Sequence, residues 1–162
     1  MNFELKQIDR QNLNILRNLF QLYIHDISKE LSWDCDDDGL FEAYSLSGWL
    51  SNKENFGFLV YVEDKLAGFV MVDKEFKVLK NEEGNYNLSE VFILNNYKGK
   101  SLASNVVKQV FDMYKGNWEC RPVPKSISAL TFWGKVFKNN FPYNVTKHEW
   151  KENRFAFTFS NK

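Results

Sequence analysis

The stretch VFILNNYKGKSLASNVV, residues 91–107, sets a Gly-Lys-Ser triplet between an apolar run and an amphipathic one. That triplet closes a nucleotide-binding P-loop, G-x-x-x-x-G-K-[ST], whose first glycine lets the backbone amides wrap a phosphate. The position of that first glycine is occupied by Leu94. No strand ending in Asp stands where a Mg²⁺ partner is expected, so the P-loop reading fails. A simpler chemistry remains. Where a strand hands over to a helix, the first helical amides lack internal partners and carry the positive end of the dipole. A helix starting near Ser101 therefore makes an anion site, with Lys98 and Lys100 adding charge. The same residues also fit a plain strand-to-helix connection with solvated lysines.

Other residues could do chemistry. Residues 34–39, DCDDDG, open like an EF-hand with Asp34, Asp36, Asp38 and Gly39. Position 12 of such a loop would be Ser45, which cannot supply the bidentate carboxylate. The segment reads as a solvated turn and helix cap, or as the acidic wall of a pocket, with Trp33 and Asp36, that attracts a cationic amine. His25 and His148 stand at no metal-ligand spacing, so no metal is expected. Cys35 and Cys120 read as free thiols in a reducing compartment, which points to the cytoplasm.

The elements that must position these groups follow from periodicity. Phe3, Leu5 and Ile8 start a strand. Leu13, Leu16, Phe20, Tyr23, Ile27 and Leu31 lie at helical spacing within 10–31. Asp37 or Asp38 can cap a second helix through Phe41, Tyr44, Leu46 and Trp49. Residues 56–74 are two strands about a turn at Glu63–Lys65. A strand over Tyr86–Ile93, a helix over Ser101–Tyr114, a short strand over Trp118–Arg121 and a helix over Ser126–Lys138 follow. A hairpin of Val145–Trp150 and Arg154–Ser160 ends the chain. Strand–helix–strand alternation in the second half predicts parallel neighbours there, and the hairpins predict antiparallel ones. The expectation is one α/β domain over residues 1–162, a mixed sheet with helices on both faces.

Composition agrees with one core. The 162 residues are 44% hydrophobic, with 15 Phe, 7 Tyr and 5 Trp, ample to bury an interior. Basic and acidic residues balance at 21 each, which argues against nucleic acid or a lipid headgroup surface as the main partner. No apolar stretch approaches the roughly 20 residues of a membrane helix. The closing hairpin alternates cleanly and could pair between subunits, so monomer and homodimer both stay open.

Two motifs together resemble the GNAT superfamily of N-acetyltransferases. The family carries V-x-x-x-[YH]-[RQ]-x-x-G-x-[GA] at a strand–loop–helix, and this chain reads Ile93-Leu-Asn-Asn-Tyr97-Lys98-Gly99-Lys100-Ser101-Leu102-Ala103. Lys98 replaces Arg or Gln, and Ser101 replaces the central glycine. Downstream, N-x-x-A-x-x-[FL]-[YW] is matched by Ser126-Ile-Ser-Ala129-Leu-Thr-Phe132-Trp133. The run WECRPVPKSISALTFWGKVF is similar to a subgroup of predicted bacterial acetyltransferases, as is the acidic segment Trp33–Glu42. The resemblance implies a GNAT-like fold of about seven strands, mostly antiparallel. It implies acetyl-coenzyme A as cosubstrate and an amine of a small molecule or protein as acceptor, with direct attack in a ternary complex. The alternative is a catalytically weak relative that binds coenzyme A or a protein partner.

The resemblance also assigns residues. Phe92, Ile93, Lys98, Gly99, Lys100, Ser101, Leu102, Ala103 and Ser104 would contact the cofactor, with Ser126, Ala129, Phe132 and Trp133 from the second motif. A Cβ at Ser101 would crowd the pyrophosphate, or its hydroxyl would cap the helix or meet a phosphate oxygen. Glu90 stands where many members have an acidic residue and would act as general base. An amide near Ile93 would hold the oxyanion. Trp133 occupies the register of a tyrosine used elsewhere as acid, leaving Tyr97, Tyr143 or solvent to protonate the thiolate.

Overall fold

A computed structural model describes residues 2–41, 45–138 and 141–162. The order of elements is β1 (Glu4–Gln7), α1 (Leu13–Leu31), α2 (Leu46–Ser51), β2 (Phe56–Val62), β3 (Lys65–Asp73), β4 (Asn85–Ile93), α3 (Leu102–Met113), β5 (Asn117–Cys120), α4 (Ile127–Lys138), β6 (Thr146–Lys151) and β7 (Arg154–Ser160). These seven strands form one sheet in the order β1-β2-β3-β4-β5-β7-β6. Among the described residues only β4 and β5 pair in parallel; every other pairing is antiparallel.

Local sequence explains the pieces. On α1, Leu16, Leu19, Phe20, Tyr23 and Ile24 form one buried stripe at helical spacing. The turn between β2 and β3 is Glu63-Asp64, with φ of 49° and 61°, the mirror-image geometry that joins a two-residue hairpin. β2 and β3 are apolar on both faces because both faces are covered. Phe58, Val60, Val70 and Val72 meet Leu102, Val106, Val110 and Trp133 on the α3–α4 side. Leu59, Phe69 and Met71 meet Leu16, Phe20, Tyr23 and Trp49 on the α1–α2 side.

Two expectations are corrected. Alternation suggested parallel neighbours across α4 as well as α3. Instead β7 inserts between β5 and β6, because the closing hairpin brings its second strand against β5. The helix expected from Asp37 or Asp38 begins only at Leu46, capped by Ser45, whose Oγ accepts from the Gly48 N–H at 3.0 Å. Asp36 explains the delay. Its Oδ1 accepts from the Asp38 and Leu40 N–H groups at 3.0 and 2.8 Å and closes a turn through Gly39, where φ is 76°. Tyr44 and Glu42 lie outside the described residues. Among those described, no helix is long and apolar enough to cross a membrane.

Candidate active site

The site begins with a break in the sheet. β4 pairs with β5 only from Asn85–Asn117 to Leu88–Cys120. Beyond Leu88 the two strands diverge: β4 continues to Ile93, while β5 turns into Arg121, Pro122 and Pro124. Pro lacks an N–H and cannot continue a ladder, so the second strand stops there. The cleft between them belongs to a cavity of about 1050 Å³.

A bulge sets what faces this cleft. Met71 pairs with Glu90 and Val72 with Leu88, so Ser89 has no opposite residue. The extra residue shifts the alternation. Leu88 belongs to the α3–α4 side, whereas Phe92 belongs to the α1 side, and Glu90 meets the Tyr23 hydroxyl of α1. The Leu94 N–H donates to the Ala67 carbonyl of the neighbouring strand at 2.8 Å. Antiparallel alternation then turns the N–H groups of Ile93 and Val91 away from β3, toward the cleft.

The Glu90 residue is half-buried, and loss of hydration around its carboxyl raises its pKa from 4.5 to about 7. The hydrogen bond from Tyr23 lowers it, Asp73 raises it and Arg121 lowers it, but burial dominates. A carboxyl titrating near neutrality is suited to take a proton at physiological pH. It lines the cavity together with Tyr23 and Arg121.

At the far end of β4 the chain makes a 3₁₀ turn over Asn95–Tyr97 and enters α3. Gly99 has φ of 77° with open space around it, so conformation alone favours glycine there. Ser101 is the N-terminal cap of α3, in the left-handed region at φ 60° and ψ 10°, and its side chain makes no capping bond. The expected hydroxyl cap is therefore absent. The preference for glycine at this position has a backbone cause, since a side chain in left-handed geometry is strained by roughly 1–2 kcal/mol. The first-turn amides of α3 have no partner within the helix, and Leu102, Ala103 and Ser104 line the cavity.

The two lysines differ. Lys98 lines the cavity, and its Nζ lies 2.7 Å from Asp26 Oδ2 on α1. Lys100 Nζ donates to the Asn96 carbonyl at 3.2 Å and is not among the cavity-lining residues. The opposite wall comes from α4. Ser126 Oγ accepts from the Ala129 N–H at 3.2 Å, and Ser126, Ala129, Phe132 and Trp133 line the cavity. Trp133 is buried and stacks on Phe137 at 5.4 Å.

Three other expected residues separate. Trp33 lines the cavity. Asp36 is exposed, its carboxylate is used by its own turn, and it is not among the lining residues. Tyr143 stacks on Phe159 at 6.0 Å in the aromatic core, away from the lining, whereas Tyr97 is part of it. Cys120 is fully buried, and its thiol pKa is pushed well up by burial and then by Glu119, which makes it an inert packing residue. Among the described residues no group of three His, Cys, Asp or Glu side chains could hold a metal.

Sequence reasoning overlooked Tyr23, Glu119 and Arg121. Tyr23 sits on the apolar stripe of α1 and reads as core. Glu119 is fully buried, and its carboxylate accepts from the N–H groups of Lys77, Val78 and Leu79 at 2.9–3.0 Å. Arg121 Nη1 lies 3.4 Å from the same carboxylate. The signal was visible in Trp118-Glu-Cys-Arg121: two charges at alternate positions of an otherwise apolar strand.

Solved structures share this architecture. An acetyltransferase from Thermus thermophilus superposes with a TM-score of 0.65 at 12% identity, covering 98% of this chain and 96% of that one. A GNAT-family acetyltransferase from Staphylococcus aureus Mu50 gives 0.63 at 14% identity, over 99% and 100%. PaiA N-acetyltransferase from Thermoplasma acidophilum, solved with coenzyme A, gives 0.62 at 10% identity, over 99% of each chain. At these identities the likeness is one of fold. No curated protein matches by sequence. The family model for the acetyltransferase (GNAT) family matches residues 16–127, most of the chain and both sides of the cleft. The chain belongs to the GNAT family of acetyltransferases.

Proposed function

We propose that this protein moves an acetyl group from acetyl-coenzyme A to a primary amine by direct attack, with Glu90 as general base. The observation that carries the proposal is Glu90 itself: a carboxyl with a pKa of about 7, held by Tyr23 and lining the cavity. The residues present fit the cofactor. The first-turn amides of α3 suit a pyrophosphate, the free edge of β4 suits an extended arm, and Phe132 and Trp133 close the far wall. When bound, acetyl-coenzyme A supplies an acyl thioester.

The protein's own groups do the rest. An alkylammonium must lose a proton before it can attack, and Glu90 accepts it directly or through one water. Tyr23 fixes the carboxylate. The Ile93 N–H, aimed into the cleft, is the donor available to the acyl oxygen. Tyr97 or solvent returns a proton to the departing sulfur. Cys35 and Cys120, both free thiols, support a cytoplasmic setting. The acting unit is a monomer or a homodimer; β6, at the sheet's edge, is the strand that could pair between copies.

The test is a panel of amines with acetyl-coenzyme A, followed by release of free thiol, for the wild type and Glu90→Gln. Turnover with at least one amine, lost in Glu90→Gln while cofactor affinity persists, supports the reading. Coenzyme A binding without turnover on any amine would favour a binding protein instead. No binding at millimolar cofactor would sink both.

A further inference from the structure

The cavity lining carries charges of both signs. Glu90 and Glu30 belong to it, and Glu30 Oε2 is buried with no hydrogen-bond partner among the described residues. Lys77, Arg121 and Arg154 belong to it as well, Arg121 close enough to Glu90 to lower its pKa. They arrive from three parts of the fold: the β3–β4 connection, the end of β5 and the start of β7.

These cations are gathered around one ring. Lys77 Nζ lies 5.8 Å and the Arg154 guanidinium carbon 5.7 Å from the centroid of Trp150. Trp150 Nε1 is buried without a partner among the described residues, and the ring also lines the cavity. Neither Lys77 nor Arg154 forms an ion pair among those residues, whereas Lys98 at the opposite end does. Arg121 has one long contact, to a Glu119 carboxylate that three backbone N–H groups already satisfy. Most of its five donors remain for something else. The same Glu119 bonds anchor the loop that carries Lys77, so the cation is placed rather than merely exposed.

The cluster is not the cradle for the cofactor's pyrophosphate. Cys120, just before Arg121, registers with Leu88, whereas α3 follows the end of β4 at Ile93. That separation along β4 is about 16 Å at the usual rise per residue.

Resting on the transferase reading above, we infer that the acceptor is a dipolar molecule: an amine that also carries an anionic oxygen group, carboxylate or phosphate. The amine goes to Glu90 and Glu30. The anion goes to Arg121, Lys77 and Arg154, where guanidinium forks match either oxyanion.

Calorimetry on the protein saturated with coenzyme A tests the idea without requiring turnover. The probes are N-acetyl-β-alanine, its neutral carboxamide and N-acetyl-2-aminoethyl phosphate. At least one anionic probe should bind tenfold or more tightly than the carboxamide, and which one does so separates carboxylate from phosphate. That advantage should shrink at least fivefold in Arg154→Met and in Lys77→Gln, with folding checked by circular dichroism. Equal affinities, absence of binding by all three, or an advantage untouched by both variants would overturn the inference. A thiol-release assay with the matched free amines separates the two readings. Transfer to neutral amines as efficient as to anionic ones removes the anion subsite and keeps the transferase. Anion preference in binding with no transfer does the reverse.

Discussion

The Tyr23 hydroxyl of α1 donates a hydrogen bond to Oε2 of Glu90 on β4, joining the first helix to a carboxyl that lines the cavity. Because the bulge at Ser89 turns Glu90 toward α1, this bond depends on the register of the sheet as well as on the two side chains. It also ties the titration of Glu90 to the packing of α1.

Replacing Glu90 by Gln should lower kcat by about 10²–10⁴, the usual contribution of a positioned base, and leave cofactor affinity within about threefold. In the wild type, kcat/KM should rise with pH through an apparent pKa near 7, because only the ionised carboxylate accepts a proton. Steady-state kinetics from about pH 5.5 to 9 on both proteins checks this.

Stability should run the other way. Between pH 4.5 and about 7 the unfolded chain ionises this carboxyl while the folded protein retains the proton. The folded state then binds more protons, so stability falls as pH rises through that window and levels off above it. The loss is at most about 3 kcal/mol, reduced by whatever water the cavity brings to the carboxylate. Denaturant melts at pH 5 and 8 should show it in the wild type and not in Glu90→Gln.

Tyr23→Phe removes the bond that lowers the Glu90 pKa. The acidic limb of the rate profile should move to higher pH, with activity lost at pH 7 and partly recovered at pH 8.5. A limb that stays in place would separate Tyr23 from the titration of Glu90.

Ser101→Gly should relieve the left-handed backbone. The roughly 1–2 kcal/mol of strain is offset by the greater freedom of glycine in the unfolded chain, for a net gain of about 0.5–1 kcal/mol. Thermal melts read the stability, and calorimetry with coenzyme A should show affinity unchanged or higher, because the Cβ at the cradle is gone.

Glu119→Ala leaves the N–H groups of Lys77, Val78 and Leu79 without their acceptor and Arg121 without its nearest carboxylate. Destabilisation of about 3 kcal/mol or more is expected for a buried hydrogen-bonded charge. Hydrogen exchange in the β3–β4 connection should quicken more than in the β2–β3 hairpin.

What could be read from the sequence follows the range of the interaction involved. The helical stripe of α1 and the paired apolar strands β2 and β3 are local patterns, and they reappear with small shifts at their ends. The strand-to-helix handover at Ser101 was legible for the same reason. The insertion of β7 between β5 and β6 was not, because hairpin order leaves open which strand meets the sheet. The charge of Asp36 was legible but not its partners: its Oδ1 accepts from the Asp38 and Leu40 amides. Glu90 was placed by resemblance, but its titration near neutrality depends on burial and on Tyr23, contacts made across 67 residues. The charge of Lys98 was legible, but its partner Asp26 on α1, 2.7 Å away and far off in the chain, was not.

The short pairing of β4 with β5 has a consequence for solubility. An unpaired strand edge usually invites another polypeptide to add on, which is how sheets aggregate. Here the open edge lies in the middle of the sheet rather than at its border, with α1 over one face and α3 and α4 over the other. A second chain would need its own neighbours and side-chain space on both faces, which the helices already occupy. A single slender molecule needs neither, so the fold can leave backbone bonds unmade for a ligand without offering them to another copy of itself.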